Sequence, residues 1–98
     1  MNDPISIATG ALAAFAQSQT VTANNLANVN TPNYSASSTV MSATQEGGVT
    51  TQVRQGSDRV DISREATTML ANSDGFKANL KVLTTAEEMS KDLLNIKA

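Results

Sequence analysis

Residues 23–34 read Ala23-Asn24-Asn25-Leu26-Ala27-Asn28-Val29-Asn30-Thr31-Pro32-Asn33-Tyr34, and this stretch divides the chain. Asparagine tolerates the left-handed backbone that ends helices, so a helix arriving from the N-terminal side stops near Asn28. Pro32 pushes Thr31 toward extended geometry. Thr31-Pro32-Asn33-Tyr34 then reads as a turn with proline at its second position.

Toward the N-terminus, Asp3 is placed to cap a helix with Pro4 at its first position. Ile5, Ala8, Leu12 and Phe15 follow heptad-like spacing, continued by Gln19, Thr22, Leu26 and Val29. That seam is apolar at both ends and polar in the middle. Gly10 weakens the helix by up to about 1 kcal/mol relative to alanine. No side chain from Pro4 to Gln45 is charged. A solvated helix normally carries charge on its outer face. A polar, uncharged helix can instead be packed on several sides without burying ions. The expectation is a helix for crowded surroundings; the alternative is a weakly charged solvent helix.

Toward the C-terminus, Tyr34 to about Arg59 is rich in Ser, Thr, Gln and Gly, without a helical period. Thr39–Gln45 and Val49–Arg54 read as two short strands around Glu46-Gly47-Gly48. A two-residue turn at Glu46-Gly47 pairs Val40 with Val53 and Thr44 with Val49. A disordered linker is the alternative for this segment. From Asp61 onward the pattern is helical again, with Asp61 or Ser63 as cap. One stripe runs Ile62, Ala66, Met69, Ser73, Phe76, Leu80 and Leu83; a second runs Val82, Ala86, Met89, Leu93 and Ile96. Two seams side by side let one helix touch more than one neighbour. Gly75 and the Asn72-Ser73-Asp74 run are candidate kink sites. Glu87 and Lys91 make a favourable i,i+4 pair.

The expected organisation is one mainly α domain. It has an N-terminal helix and Asn-rich turn (1–34), a polar linker or small β-hairpin (35–60) and a C-terminal helix (61–98). The two helices are expected to pack as an antiparallel coiled-coil hairpin. The C-terminal helix is the longer, so part of its apolar surface stays uncovered and asks for a partner.

Composition excludes much chemistry. The 98 residues contain no Cys and no His, only three aromatic residues and a formal charge of −2. Disulfides, thiol and histidine catalysis and most zinc sites are thereby removed, and the balance does not favour nucleic acid. Ser18 has no histidine to activate it, and Gly47-Gly48 lacks the lysine of a phosphate loop. Glu87, Glu88 and Asp92 read as a solvated helix face beside Lys91, not as a metal site. Asp58, Asp61 and Glu65 read as loop and helix-start charges, and Met69 and Met89 as packing residues. No enzymatic activity and no cofactor is expected. Ile5–Ala16 is too short to span a membrane, since a spanning helix needs about 20 residues. Asn2-Asp3-Pro4 offers no basic region of a cleaved signal.

Ala11-Leu12-Ala13-Ala14, Ser18, Val21 and residues 23–34 resemble the N-terminal signature of flagellar rod and hook proteins, Ala-Asn-Asn-Leu-Ala-Asn-x-Asn-Thr-Pro-Gly-Tyr. Residues 75–89, Gly75-Phe76-Lys77-Ala78-Asn79-Leu80-Lys81-Val82-Leu83-Thr84-Thr85-Ala86-Glu87-Glu88-Met89, and Leu93-Leu94-Asn95-Ile96-Lys97 resemble the C-terminal helix of the same family. Asn33 stands where the family has glycine, and Ser73-Asp74-Gly75 precedes Phe76 where Gln-Arg-Ala is common. The middle segment is far shorter than in larger members.

The resemblance implies a structural subunit of the flagellar basal-body rod, packed with neighbouring subunits around the export channel. It further implies exit from the cytoplasm through the flagellar type III export apparatus, to a periplasmic rod, without a cleaved signal. Expected partners are other rod and hook subunits and the chain itself, with no nucleic acid or small-molecule substrate. The residues expected to carry assembly contacts are Leu12, Phe15, Val21, Asn24, Asn25, Leu26, Asn28, Asn30, Thr31, Pro32, Tyr34, Phe76, Asn79, Leu80, Leu83, Met89, Leu93 and Leu94. The alternative function is a cytoplasmic helical adaptor or regulator that binds axial proteins without being incorporated.

Overall fold

The computed structural model describes residues 4–45 and 47–97. In chain order it contains α1 (Pro4–Ala27), β1 (Ser37–Ala43), β2 (Val49–Gln55) and α2 (Ile62–Lys97). The expected Asp3 cap lies outside the described residues.

Each boundary has a local cause. At the end of α1, the Asn28 amide Nδ2 donates to Asn24 O at 2.9 Å, and Thr31 Oγ1 donates to Asn28 Oδ1 at 3.1 Å. The Asn24 carbonyl also accepts Asn28 N–H at 3.2 Å, so backbone and side chain of one residue hold the last turn together. Tyr34 N–H donates to Thr31 O at 3.4 Å and closes the turn around Pro32. Asn33 has φ +63°. This is the left-handed region that asparagine adopts at less cost than other non-glycine residues. At the start of α2, Asp61 Oδ1 accepts from Ser63 N at 3.0 Å and Arg64 N at 3.3 Å. Asp61, not Ser63, is therefore the cap. The helix then runs without interruption through Asn72–Gly75.

The middle segment is an antiparallel hairpin, with Thr39 opposite Val53, Val40 opposite Gln52 and Ala43 opposite Val49. Sequence reasoning set this register one residue away, pairing Val40 with Val53. The loop is the reason. Thr44 N–H donates to Gly48 O at 3.2 Å, so Thr44 faces Gly48 and the turn is one residue longer than expected. Gly47 and Gly48 both take positive φ, 86° and 100°, which glycine reaches without a steric penalty. Thr44 Oγ1 also donates to Gly47 O at 2.7 Å.

The chain is elongated, 63 × 24 × 14 Å. α1 is covered on two adjacent sides, by α2 and by the hairpin. Asn25 meets Glu65, Gln19 meets Asn72 and Phe15 meets Gly75, so the helices run in opposite directions. The hairpin is tied to the other side of α1, where the Thr51 hydroxyl donates to Gln17 Oε1.

The seam of α1 keeps part of the expected row: Ala8 and Thr22 are buried, Phe15 meets Gly75 and Gln19 meets Asn72, and Ala11, Ala14, Ser18 and Asn25 join them. Its buried residues are Ala8, Ala11, Ala14, Ser18, Thr22 and Asn25. Leu12, Phe15 and Leu26 are only half-buried beside them, and Gln19 and Val29 likewise. On α2 the buried residues are Glu65 and Asn72. Small side chains let two backbones approach closely, and that approach displaces bulky residues to the flanks. Among the described residues no large aliphatic or aromatic side chain is fully buried. A buried Leu, Phe or Met would contribute about 1.5–3 kcal/mol each, so this seam specifies geometry more than it stabilises.

Candidate assembly interface

Asn25 is the junction of the molecule, fully buried at 0% exposure. Its Nδ2 donates to Ser37 O and to Glu65 Oε1, both at 2.7 Å. Its Oδ1 accepts from Tyr34 O–H at 3.1 Å and from Ser37 N–H at 3.0 Å. Two donors and two acceptor sites are all used, the full capacity of the side chain. One amide thus joins the last turn of α1, the signature turn, the first residue of β1 and the first turn of α2. Further along, Asn72 Nδ2 donates to Gln19 Oε1 at 3.0 Å, and the Phe15 ring lies against Gly75.

At about 100° per residue, Glu65, Thr68, Asn72, Gly75, Asn79, Leu83 and Ala86 form one face of α2, and all are buried or half-buried. The two apolar stripes lie on either side of that face. Ile62, Phe76 and Leu80 are exposed on one flank, and Val82, Met89, Leu93 and Ile96 on the other. Leu83 and Ala86 are the members of each stripe drawn into the seam. A groove of about 440 Å³ follows the first flank, lined by Phe15, Ala16, Ala23, Ser73 and Phe76. Another of about 440 Å³ follows the second, lined by Pro4, Ala78, Val82, Ala86 and Met89. α2 continues past Pro4, and its last turns expose Leu93, Leu94 and Ile96 at 58%, 68% and 80%.

The expected contact residues separate into two groups. Asn25 is buried, while Leu12, Phe15, Val21, Leu26, Asn28, Tyr34, Asn79 and Leu83 are half-buried within the chain's own packing. Asn79 Nδ2 donates to Gly75 O of its own helix at 2.8 Å. Asn24, Asn30, Thr31, Pro32, Phe76, Leu80, Met89, Leu93 and Leu94 are exposed. Sequence reasoning missed Glu65, Asn72 and Gly75. It also missed the seam through Ala11, Ser18 and Asn25, whose seven-residue spacing was visible but carries no large apolar residue.

Residues 5–34, which are α1 and the turn after it, match the family described as flagella basal body rod protein. Residues 59–96, which are the Asp61 cap and α2, match the family described as flagellar basal body rod FlgEFG protein C-terminal. The chain belongs to the flagellar basal body rod protein family. The matched segments of this rod-family chain are its two antiparallel helices, and the unmatched residues between them form the hairpin. Membership carries a structural role in the rod and a place in the flagellar basal body. Asn33 supplies the positive φ at the place of the family's glycine. The chain has no match among curated proteins. No described helix is long and apolar enough to cross a membrane.

Proposed function

We propose that this chain is an axial subunit of the rod. Its α1–α2 pair packs as a coiled coil against neighbouring subunits around the export channel. The carrying observation is the division of α2 into a small, polar seam toward α1 and two exposed apolar flanks. A solitary helical hairpin would bury its apolar stripes in its own seam; a helix with two neighbours on either side keeps them free. The partners are then other rod subunits and further copies of the chain. Its route is the flagellar type III export apparatus into the periplasmic rod. The three parts of the chain, 1–34, 35–60 and 61–98, act as one structural unit, and its business is packing, not catalysis.

Fractionation of cells carrying an epitope-tagged chain tests this, with and without a working flagellar export apparatus. The chain is expected in purified hook–basal bodies, and only when export works. A chain that stays in the cytoplasm of both strains would instead be an adaptor for axial proteins.

A further inference from the structure

The seam between α1 and α2 is built from residues that barely distinguish one heptad from the next. Ala8, Ala11, Ala14, Ser18 and Thr22 are small, and α2 answers with Thr68, Asn72, Gly75 and Asn79. Moving α1 by seven residues toward the C-terminal end of α2, about 10 Å, would bring the site of Asn25 to Asn72 and that of Phe15 to Val82. It would also cover part of the apolar surface at Leu93, Leu94 and Ile96 that the observed register leaves open. The hydrophobic effect therefore pulls toward the slipped register.

Contacts at the two ends of the seam oppose it, with the Asn72–Gln19 hydrogen bond between them. Asn25 holds Glu65 Oε1 at 2.7 Å, and Glu65 is itself buried without a cationic partner in hydrogen-bonding distance among the described residues. Slipping would leave that carboxylate without the amide that satisfies it, while the bonds between Asn25 and Ser37, which rides with the hairpin on α1, would travel with the helix. Phe15 sits on Gly75, where no side chain stands in its way. Asn25 and Phe15 are ten residues apart, as are Glu65 and Gly75, so the two contacts read the same register from opposite ends.

We propose that Asn25 and Glu65 are a register lock: they hold α1 back from the end of α2 and so keep the last turns of α2 uncovered for a partner. The lock concerns the chain alone, and only its purpose rests on the rod reading.

The chain contains no cysteine, so introduced pairs report register directly. Gln19→Cys with Asn72→Cys reads the observed register, and Gln19→Cys with Asn79→Cys reads the slipped one. On purified chain with Asn25 present, the first pair is expected to oxidise and the second to stay at background. With Asn25→Leu the second pair gains several-fold and the first declines. If Asn25→Leu keeps the first pair and leaves the second at background, or if the first pair never forms with Asn25 present, the lock is wrong. Should Asn25→Leu lose its helical circular dichroism, Glu65→Leu takes its place with the same two readings. Glu65→Gln, which keeps an acceptor for Asn25, is expected to hold the observed register. These yields are indifferent to where the protein resides, so a failure of the lock and a failure of the rod assignment are told apart.

Discussion

The ring of Phe15 occupies the space that a side chain at Gly75 would need. A Cβ at position 75 would fall 2.6 Å from Phe15 Cε1 and 2.8 Å from Cε2. These atoms are the outer edge of one rigid phenyl ring, which can yield only by turning as a whole. Glycine inside α2 is thus the partner of an aromatic on α1.

Gly75→Ala should therefore destabilise the helix pair even though alanine is the better helix former by about 1 kcal/mol. Overpacking of this kind costs roughly 1–3 kcal/mol, which outweighs the propensity gain. The urea midpoint of the helical circular dichroism should fall for Gly75→Ala and recover in Gly75→Ala/Phe15→Leu. A midpoint that rises in the single variant would show that Phe15 moves aside freely.

The turn at Asn33 makes a prediction of opposite signs for two substitutions. Its φ of +63° is reached freely by glycine but costs a β-branched residue about 1–2 kcal/mol. Asn33→Gly should leave the thermal midpoint unchanged or raise it, and Asn33→Val should lower it. Equal midpoints for the two would mean that the turn takes another conformation.

Asp61 caps α2 through Ser63 N and Arg64 N. Asp61→Ala should destabilise by about 0.5–2 kcal/mol, and Asp61→Asn by much less, because the amide oxygen accepts the same bonds. Amide hydrogen exchange localises the effect: Ser63 and Arg64 should lose protection first in Asp61→Ala, while the amides after Asn79 stay as they were.

Leu93 and Leu94 are exposed at 58% and 68% and touch little of their own chain. The double substitution Leu93→Asp/Leu94→Asp should leave the Gln19–Asn72 register and the helical signal of purified chain intact. It should remove the chain from hook–basal bodies and reduce swimming in soft agar. Incorporation at the unsubstituted level would assign these residues no part in assembly.

Boundaries were legible in the sequence because their causes are local. Pro32 and Asn33 announced the turn, Asn28 the helix end and Asp61 the next helix start, each through a backbone preference that acts within four residues. The seam was legible only in part, through Ala8, Phe15, Gln19 and Thr22, because periodicity counts large apolar residues as buried. Here Ile62, Leu80, Met89 and Leu93 follow helical period on α2 and remain exposed, while Glu65, Asn72 and Gly75 face α1. The stripes were read as two faces with apolar surface left over for neighbours, and Ile62, Phe76, Leu80, Val82, Met89, Leu93 and Ile96 are exposed. The hairpin register slipped by one because two positive-φ glycines, Gly47 and Gly48, lengthen the turn, and glycine pairs alone do not state loop length. The Asn25 network was out of reach for another reason. Nothing in the spacing of Asn25, Tyr34, Ser37 and Glu65 brings them together until the turn and the hairpin have folded back on α1.

Tyr34 is the chain's one tyrosine, and there is no tryptophan. Its hydroxyl donates to Asn25 Oδ1. The protein therefore carries a single native chromophore above 270 nm, seated on the side chain that joins α1, the turn, β1 and α2. Near-ultraviolet spectra of unlabelled wild-type chain report that junction and little else. Its closing can be timed as a subunit folds, without a dye and without altering a residue.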